Sequence, residues 1–119
     1  MEKLIPVPAA WTRRGTFFAL HVTGDSMRNA GILEGDQIVV RQRSLAADGD
    51  IVVATIEGET TIKRLRLGGN GMTLVPENPH YRSIEVRAEE AIIQGVVVGL
   101  MRKYRERGAI ARQSARLVE

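Results

Sequence analysis

Cysteine is absent from this sequence of 119 residues, and aromatic side chains make up only 4% of it. The first absence excludes disulfides, cysteine-ligated zinc and thiol catalysis, and it is compatible with the reducing cytoplasm, where we expect the protein to act. The scarcity of aromatics indicates a core of valine, isoleucine, leucine and alanine. Such a composition favours packed β-strands.

Long apolar runs are also missing. A membrane-spanning helix needs about 20 apolar residues, and the best run, residues 91–101, is interrupted by Gln94, Gly95 and Gly99. The N-terminus lacks the pattern of a basic start, an apolar stretch and a small-residue cleavage site that marks a signal peptide. We therefore expect one soluble domain without a membrane partner, at a length close to the commonest domain size.

The positive charge is concentrated at the C-terminal end. Residues 101–119 hold six of the 17 basic side chains against two acidic ones, so the rest of the chain is nearly neutral. The body is therefore not a basic nucleic-acid surface, and this charge run is expected to be a solvated extension. We predict a domain over residues 1–103 and a basic tail over 104–119, either helical or disordered.

Short β-branched runs separated by turn residues recur along the chain. Gly35-Asp36 and Gly49-Asp50 each close a turn before such a run, because glycine permits positive φ and aspartate bonds its own backbone. One helical turn is expected over 27–30, ended by Gly31. Many strands and almost no helix predict a mainly all-β domain, barrel-like or sandwich-like, with strands expected within 17–22, 35–40, 49–54, 60–65, 73–75, 84–86 and 92–101.

A serine and a lysine form the candidate reactive pair. Ser26 lies in a polar turn, Gly24-Asp25-Ser26-Met27 (the serine turn), just after a predicted strand, whereas Lys63 lies inside an apolar strand. A serine hydroxyl needs a neighbouring base, and His21 and His80 show no triad spacing. A lysine serves as that base only when burial lowers its pKa enough to leave it neutral.

The period of the strand leaves one question open. Lys63 and Arg64 must point to opposite faces, and the sequence alone does not say which one faces the interior. Asp25 is interpreted as a turn residue, since a carboxylate beside the pair would keep the lysine charged. The two histidines are interpreted as structural residues, and neither a metal nor a cofactor is expected.

Six motifs occur in an order that resembles the C-terminal peptidase domain of the LexA repressor family, which includes UmuD-type proteins and self-cleaving phage repressors. The resemblance covers about residues 4–103. The matching stretches are VTGDSM at 22–27, GILEGD at 31–36, GDIVVA at 49–54, TIKRL at 61–65, LVPENP at 74–79 and GVVVGL at 95–100.

This resemblance implies that Ser26 is the nucleophile, Lys63 the general base, and the backbone N–H groups of Asp25 and Ser26 the oxyanion hole. It implies cleavage of the protein's own chain, in a loop upstream of the nucleophile, when a filament of RecA on single-stranded DNA stimulates it. It also implies a homodimer formed near the final strand, with interface candidates Val96, Val97, Val98, Leu100 and Met101.

Two departures from the family pattern stand out. The sequence contains nothing like the N-terminal winged helix-turn-helix, so DNA contact is expected only through a domain outside it. The scissile bond, usually Ala-Gly, is expected before Leu4, and Ala30-Gly31 is rejected because it belongs to a scaffold motif. The alternatives are a UmuD-like module that dimerises and binds a translesion polymerase, and a type I signal peptidase, which needs a membrane anchor that is not visible.

Overall fold

The computed structural model describes residues 7–12, 14–69 and 71–104. Within them the backbone forms seven β-strands and three 3₁₀ turns, which confirms the prediction of a mainly all-β domain. The strands are β1 (Phe17–His21), β2 (Gln37–Gln42), β3 (Ile51–Ile56), β4 (Glu59–Gly68), β5 (Gly71–Val75), β6 (Ile84–Val86) and β7 (Ala91–Met101); the 3₁₀ turns are Ala9–Thr12, Arg28–Ala30 and Ala88–Glu90. The tail predicted over 104–119 lies, apart from Tyr104, outside the described residues.

All seven strands belong to one antiparallel sheet with the order β1-β2-β7-β3-β4-β5-β6. The last strand in the sequence is therefore central, between β2 and β3. The β3–β4 hairpin turns through Glu57 and Gly58, at φ 50° and 82°, because two left-handed residues match the twist of the flanking strands. The predicted single helical turn is a 3₁₀ turn, and Gly31 ends it at φ 82°.

Two apolar clusters pack on opposite faces of the sheet. Residues that alternate along β3 divide between them: Val53 joins the first cluster, whereas Val52 and Ala54 join the second. Val22, two residues before the serine turn, and Met27, the last residue of the turn, both lie in the first cluster, and Met27 is only 2% exposed. Burial of these two side chains therefore fixes where the turn sits on the sheet.

The strand that carries Lys63 is paired unevenly. Its second half, Arg64–Gly68, pairs with β5, whereas within the described chain Glu59–Lys63 pairs only with β3. The first half of β4 consequently has a free edge, and this edge lies beside the serine turn. The uneven pairing leaves room for a cleft at that point.

Arg102 corrects one expectation about the C-terminal charges. It was expected to be solvated with the rest of 101–119, but its guanidinium pairs with the buried carboxylate of Asp36 at 2.7 Å and donates to the Gly31 carbonyl oxygen at 2.8 Å. The carboxylate accepts two of its N–H groups, so the contact is bidentate. It attaches the end of β7 to the segment that follows the serine turn.

Candidate active site

The serine turn follows β1 directly, as predicted. Gly24 adopts φ 84°, a left-handed conformation that suits glycine, and the Arg28 N–H donates to the Asp25 carbonyl oxygen at 3.2 Å. Ser26 itself is half-buried, since Met27 points into the core beside it. The hydroxyl therefore lies on a turn whose backbone is anchored on both sides.

Lys63 brings its amine to that hydroxyl. Its Nζ hydrogen-bonds Ser26 Oγ at 3.2 Å and also donates to Thr61 Oγ1, two residues earlier on the same strand. Lys63 is 7% exposed, whereas Arg64 points the other way and forms an ion pair with Glu77 at 2.7 Å. The question left open by the strand period is thus answered: the lysine faces the interior.

The surroundings of the amine favour its neutral form. Burial lowers the pKa of Lys63, because an ammonium ion loses solvation in a low-dielectric environment. In the described part of the chain no carboxylate forms an ion pair with it. The Asp25 carboxylate forms no ion pair in the described ranges, and its Oδ1 accepts a hydrogen bond from the Tyr81 hydroxyl at 2.5 Å.

Two backbone donors at the serine turn are free to bind a ligand. Neither the Asp25 nor the Ser26 N–H donates to an acceptor within the described ranges. Ser26 lines a cleft of about 260 Å³, and Asp25 directly precedes it in the chain. One wall of the cleft comes from the end of β1 and the residues after it, and the other from the free edge of β4. The cleft is lined by Leu20, His21, Val22, Thr23, Gly24, Ser26, Met27, Thr60, Thr61 and Ile62.

The sequence reasoning missed the loop behind the serine turn. Residues 76–81 (the Pro76–Tyr81 loop) supply Asn78, whose Nδ2 donates to the Asp25 carbonyl oxygen at 2.8 Å, and Tyr81, which holds the Asp25 side chain. The motif at 74–79 was recognised as part of the resemblance, but no role was assigned to it. An asparagine in a turn locked by Pro76 and Pro79 was the available signal.

The two histidines lie on separate elements, and His21 also lines the cleft. His21 lies on β1, 3.4 Å from the Gln37 amide, and His80 lies in the Pro76–Tyr81 loop. No group of three or more metal-ligating side chains occurs in the described ranges, and none of the helices found there is long and apolar enough to cross a membrane.

The interface candidates on β7 differ in exposure. Val96, Val97 and Leu100 pack against the two apolar clusters, whereas Val98 is 45% exposed. Met101 ends the strand opposite Gln37. Because β7 is central in the sheet, a partner would contact the face of the strand and could not add to its edge.

Known proteins match most of the chain. The LexA repressor of Alcanivorax borkumensis is 44% identical over 102 residues, covering 86% of this chain and 50% of that protein. The LexA repressors of Pelotomaculum thermopropionicum and Frankia alni are 48% and 45% identical over 103 residues, covering 49% and 40% of their lengths. The chain thus spans half or less of these relatives. Residues 1–98 match the Peptidase S24-like family, which confirms the resemblance seen in the six motifs: the chain belongs to this family.

Proposed function

We propose that this chain is the self-cleaving serine peptidase and dimerisation domain of a LexA-like repressor. The observation that carries the proposal is the 3.2 Å contact between Lys63 Nζ and Ser26 Oγ, in a site where the amine is buried and no described carboxylate is paired with it. A buried lysine is costly to keep unless it has a function or a partner.

The mechanism starts from neutral Lys63. As Ser26 Oγ attacks the scissile carbonyl carbon, Nζ takes the hydroxyl proton, and the N–H groups of Asp25 and Ser26 donate to the oxyanion that forms. The lysine ammonium then gives its proton to the departing amine, which leaves an acyl-serine. Neutral Lys63 then takes a proton from a water molecule, which attacks the ester carbonyl carbon. The lysine ammonium returns this proton to Ser26 Oγ as the ester bond breaks, so that the carboxylic product leaves and the serine is regenerated.

The proposed substrate is a loop in the protein's own chain, upstream of Leu4. An intramolecular substrate is present at high effective concentration, so a slow dyad is sufficient. We propose stimulation by the RecA filament on single-stranded DNA during the SOS response, homodimerisation through the face of β7, and DNA binding through an N-terminal domain. The LexA repressor relatives favour this assignment over a UmuD-like module.

Self-cleavage of a longer protein that contains the upstream loop tests the proposal. We expect the rate to rise with pH until Lys63 is fully deprotonated, and the RecA filament to accelerate cleavage at neutral pH. Ser26→Ala and Lys63→Ala should each abolish cleavage, whereas Lys103→Ala, at an exposed lysine, should cleave like the parent. A flat pH profile, or cleavage that survives either dyad substitution, would rule out the mechanism.

A further inference from the structure

We propose that Asn78 is a positioning residue, which holds the peptide plane between Asp25 and Ser26 so that the Ser26 N–H faces the cleft. Its Nδ2 donates to the Asp25 carbonyl oxygen at 2.8 Å, from the Pro76–Tyr81 loop. The catalytic consequence of this role rests on the proposed peptidase function. The contact itself can be tested in the folded protein without any cleavage assay.

The direction of the Ser26 N–H follows from peptide geometry. In a trans peptide the carbonyl oxygen of Asp25 and the N–H of Ser26 lie in one plane and point in opposite directions. A donor that fixes the oxygen on the loop side therefore fixes the N–H on the other side. The cleft is lined by Gly24, Ser26 and Met27 but by no residue of the loop, so that other side is the cleft side.

Asn78 is held rigidly enough to do this. It is 6% exposed, and its Oδ1 accepts the His80 N–H at 2.9 Å, so both ends of the amide are engaged and the Nδ2 group must face Asp25. The neighbouring Glu77 N–H donates to the Ser26 carbonyl oxygen at 2.8 Å. Two successive carbonyl groups of the serine turn are thus bound by two successive residues of the loop.

The same loop is attached to the strand that carries the base. The Glu77 carboxylate accepts from Arg64 Nε at 2.7 Å, and Arg64 also donates to the Gly49 carbonyl oxygen at 2.8 Å. Arg64 directly follows Lys63 on β4. The loop therefore connects the nucleophile to the strand that carries the base. The Asp25 carbonyl oxygen accepts two hydrogen bonds, from Asn78 Nδ2 at 2.8 Å and from the Arg28 N–H at 3.2 Å, and the shorter one comes from the buried amide of the loop.

Asn78→Asp is the sharpest variant. It keeps the size of the side chain and an acceptor for the His80 N–H but, ionised at alkaline pH, loses the donor to Asp25. Tyr81→Phe is the matched control, since it removes a hydrogen bond from the same loop to the side chain of Asp25 and leaves the main-chain contact intact. Asn78→Ser, whose hydroxyl is too short to reach the carbonyl, carries the same test if Asn78→Asp does not fold.

Amide order parameters from ¹⁵N relaxation measure the positioning itself. In the parent and in Tyr81→Phe we expect Ser26 near the value of rigid backbone, about 0.85, and in Asn78→Asp a fall below about 0.6. Amides of β2 and β7 should keep their values in all variants, which shows that the sheet remains folded. A Ser26 order parameter unchanged in Asn78→Asp overturns the inference.

The self-cleavage rate measures the consequence. In the longer protein, we expect Asn78→Asp to lower the plateau rate at alkaline pH by about 10- to 100-fold, with the midpoint of the pH profile unchanged because Lys63 is untouched. Tyr81→Phe should stay within about threefold of the parent. An unchanged plateau rate in Asn78→Asp overturns the inference. If the parent does not cleave but Ser26 still loses order in the variant, the proposed function fails while the positioning stands.

Discussion

Asp36 and Lys63 are the ionisable side chains that the described part of the chain buries, and the fold treats their charges in opposite ways. Asp36, 2% exposed, accepts two N–H groups from the Arg102 guanidinium and one from the Leu33 backbone. Lys63 meets two hydroxyls, those of Ser26 and Thr61. The Asp36 carboxylate is therefore paired with a cation, whereas the Lys63 amine has no ionic partner among the described residues.

The pKa values of Asp36 and Lys63 are both lowered, but the lowering favours the charged form of the acid and the neutral form of the base. The hydrogen bond from Arg102 lowers the pKa of Asp36, and burial lowers the pKa of Lys63. A lowered pKa keeps an acid charged, so Asp36 serves as an anchor. In a base, a lowered pKa favours the neutral form, which is the form of Lys63 that can accept a proton.

The contribution of the Asp36–Arg102 ion pair to stability is tested by comparing two turns of the same shape. Gly35 and Gly49 both adopt φ 93°, and Asp36 and Asp50 accept backbone N–H groups at 2.8 and 2.9 Å, but Asp50 makes no ion pair in the described chain. We expect Asp36→Ala to lower the free energy of unfolding by about 1.5–3 kcal/mol and Asp50→Ala by about 1 kcal/mol, measured by urea unfolding at pH 7.

The pH dependence of that loss has a definite sign. Because the folded pKa of Asp36 lies below its usual value of 3.8, the stabilisation is complete above that value and disappears as the pH falls through the folded pKa. The parent and Asp36→Ala should therefore converge only in strong acid. Equal losses in the two turns at pH 7 would mean that Arg102 contributes nothing to the anchor.

Replacing the buried Lys63 should change the free energy of unfolding by less than replacing Asp36 does, and in the opposite direction. Lys63→Met should raise the free energy of unfolding at pH 7 by on the order of 1 kcal/mol, since the apolar side chain needs no desolvation of a charge. The folded pKa of Lys63 is lowered, so the unfolded state binds more protons up to about the usual value of 10.5, and the parent gains stability as the pH rises.

Denaturant unfolding of Lys63→Met at several pH values measures this gap. The variant's advantage should shrink as the pH approaches 10.5, and Lys103→Met, at an exposed position, should show no such trend. A variant less stable than the parent at neutral pH, or a gap that does not close, would mean that the lysine is not buried at a cost.

Local patterns were sufficient for most of the fold. Period-2 alternation and glycine-aspartate turns located the strands, because these signals are contained in a few adjacent residues. The sheet order was not predicted, since the central place of β7 depends on pairings between distant segments such as Val52 with Val96. The orientation of Lys63 was undecidable for the same reason: alternation gives two faces and only packing identifies the inner one.

Part of the candidate active site was also predictable from local sequence patterns, and part depended on distant contacts. Ser26 and Lys63 were predicted from a turn, an apolar strand and the family resemblance, and the structure brings their side chains together. Asn78 and the Arg102 anchor were not predicted, because each acts on a residue more than 50 positions away. From the sequence alone, Arg102 is indistinguishable from the other basic residues of 101–119. Only the structure shows that it contacts the buried carboxylate of Asp36.

Titration of the lysine side chains by NMR tests the central claim most directly. The sequence has three lysines, so a protein labelled with ¹³C at lysine Cε gives three signals, and Lys63→Met identifies the one that belongs to the site. We predict that the Lys63 signal titrates below the usual lysine value of 10.5, because burial lowers the pKa of this residue. A Lys63 signal that titrates at or above that value would contradict a neutral amine beside Ser26 and with it the proposed dyad.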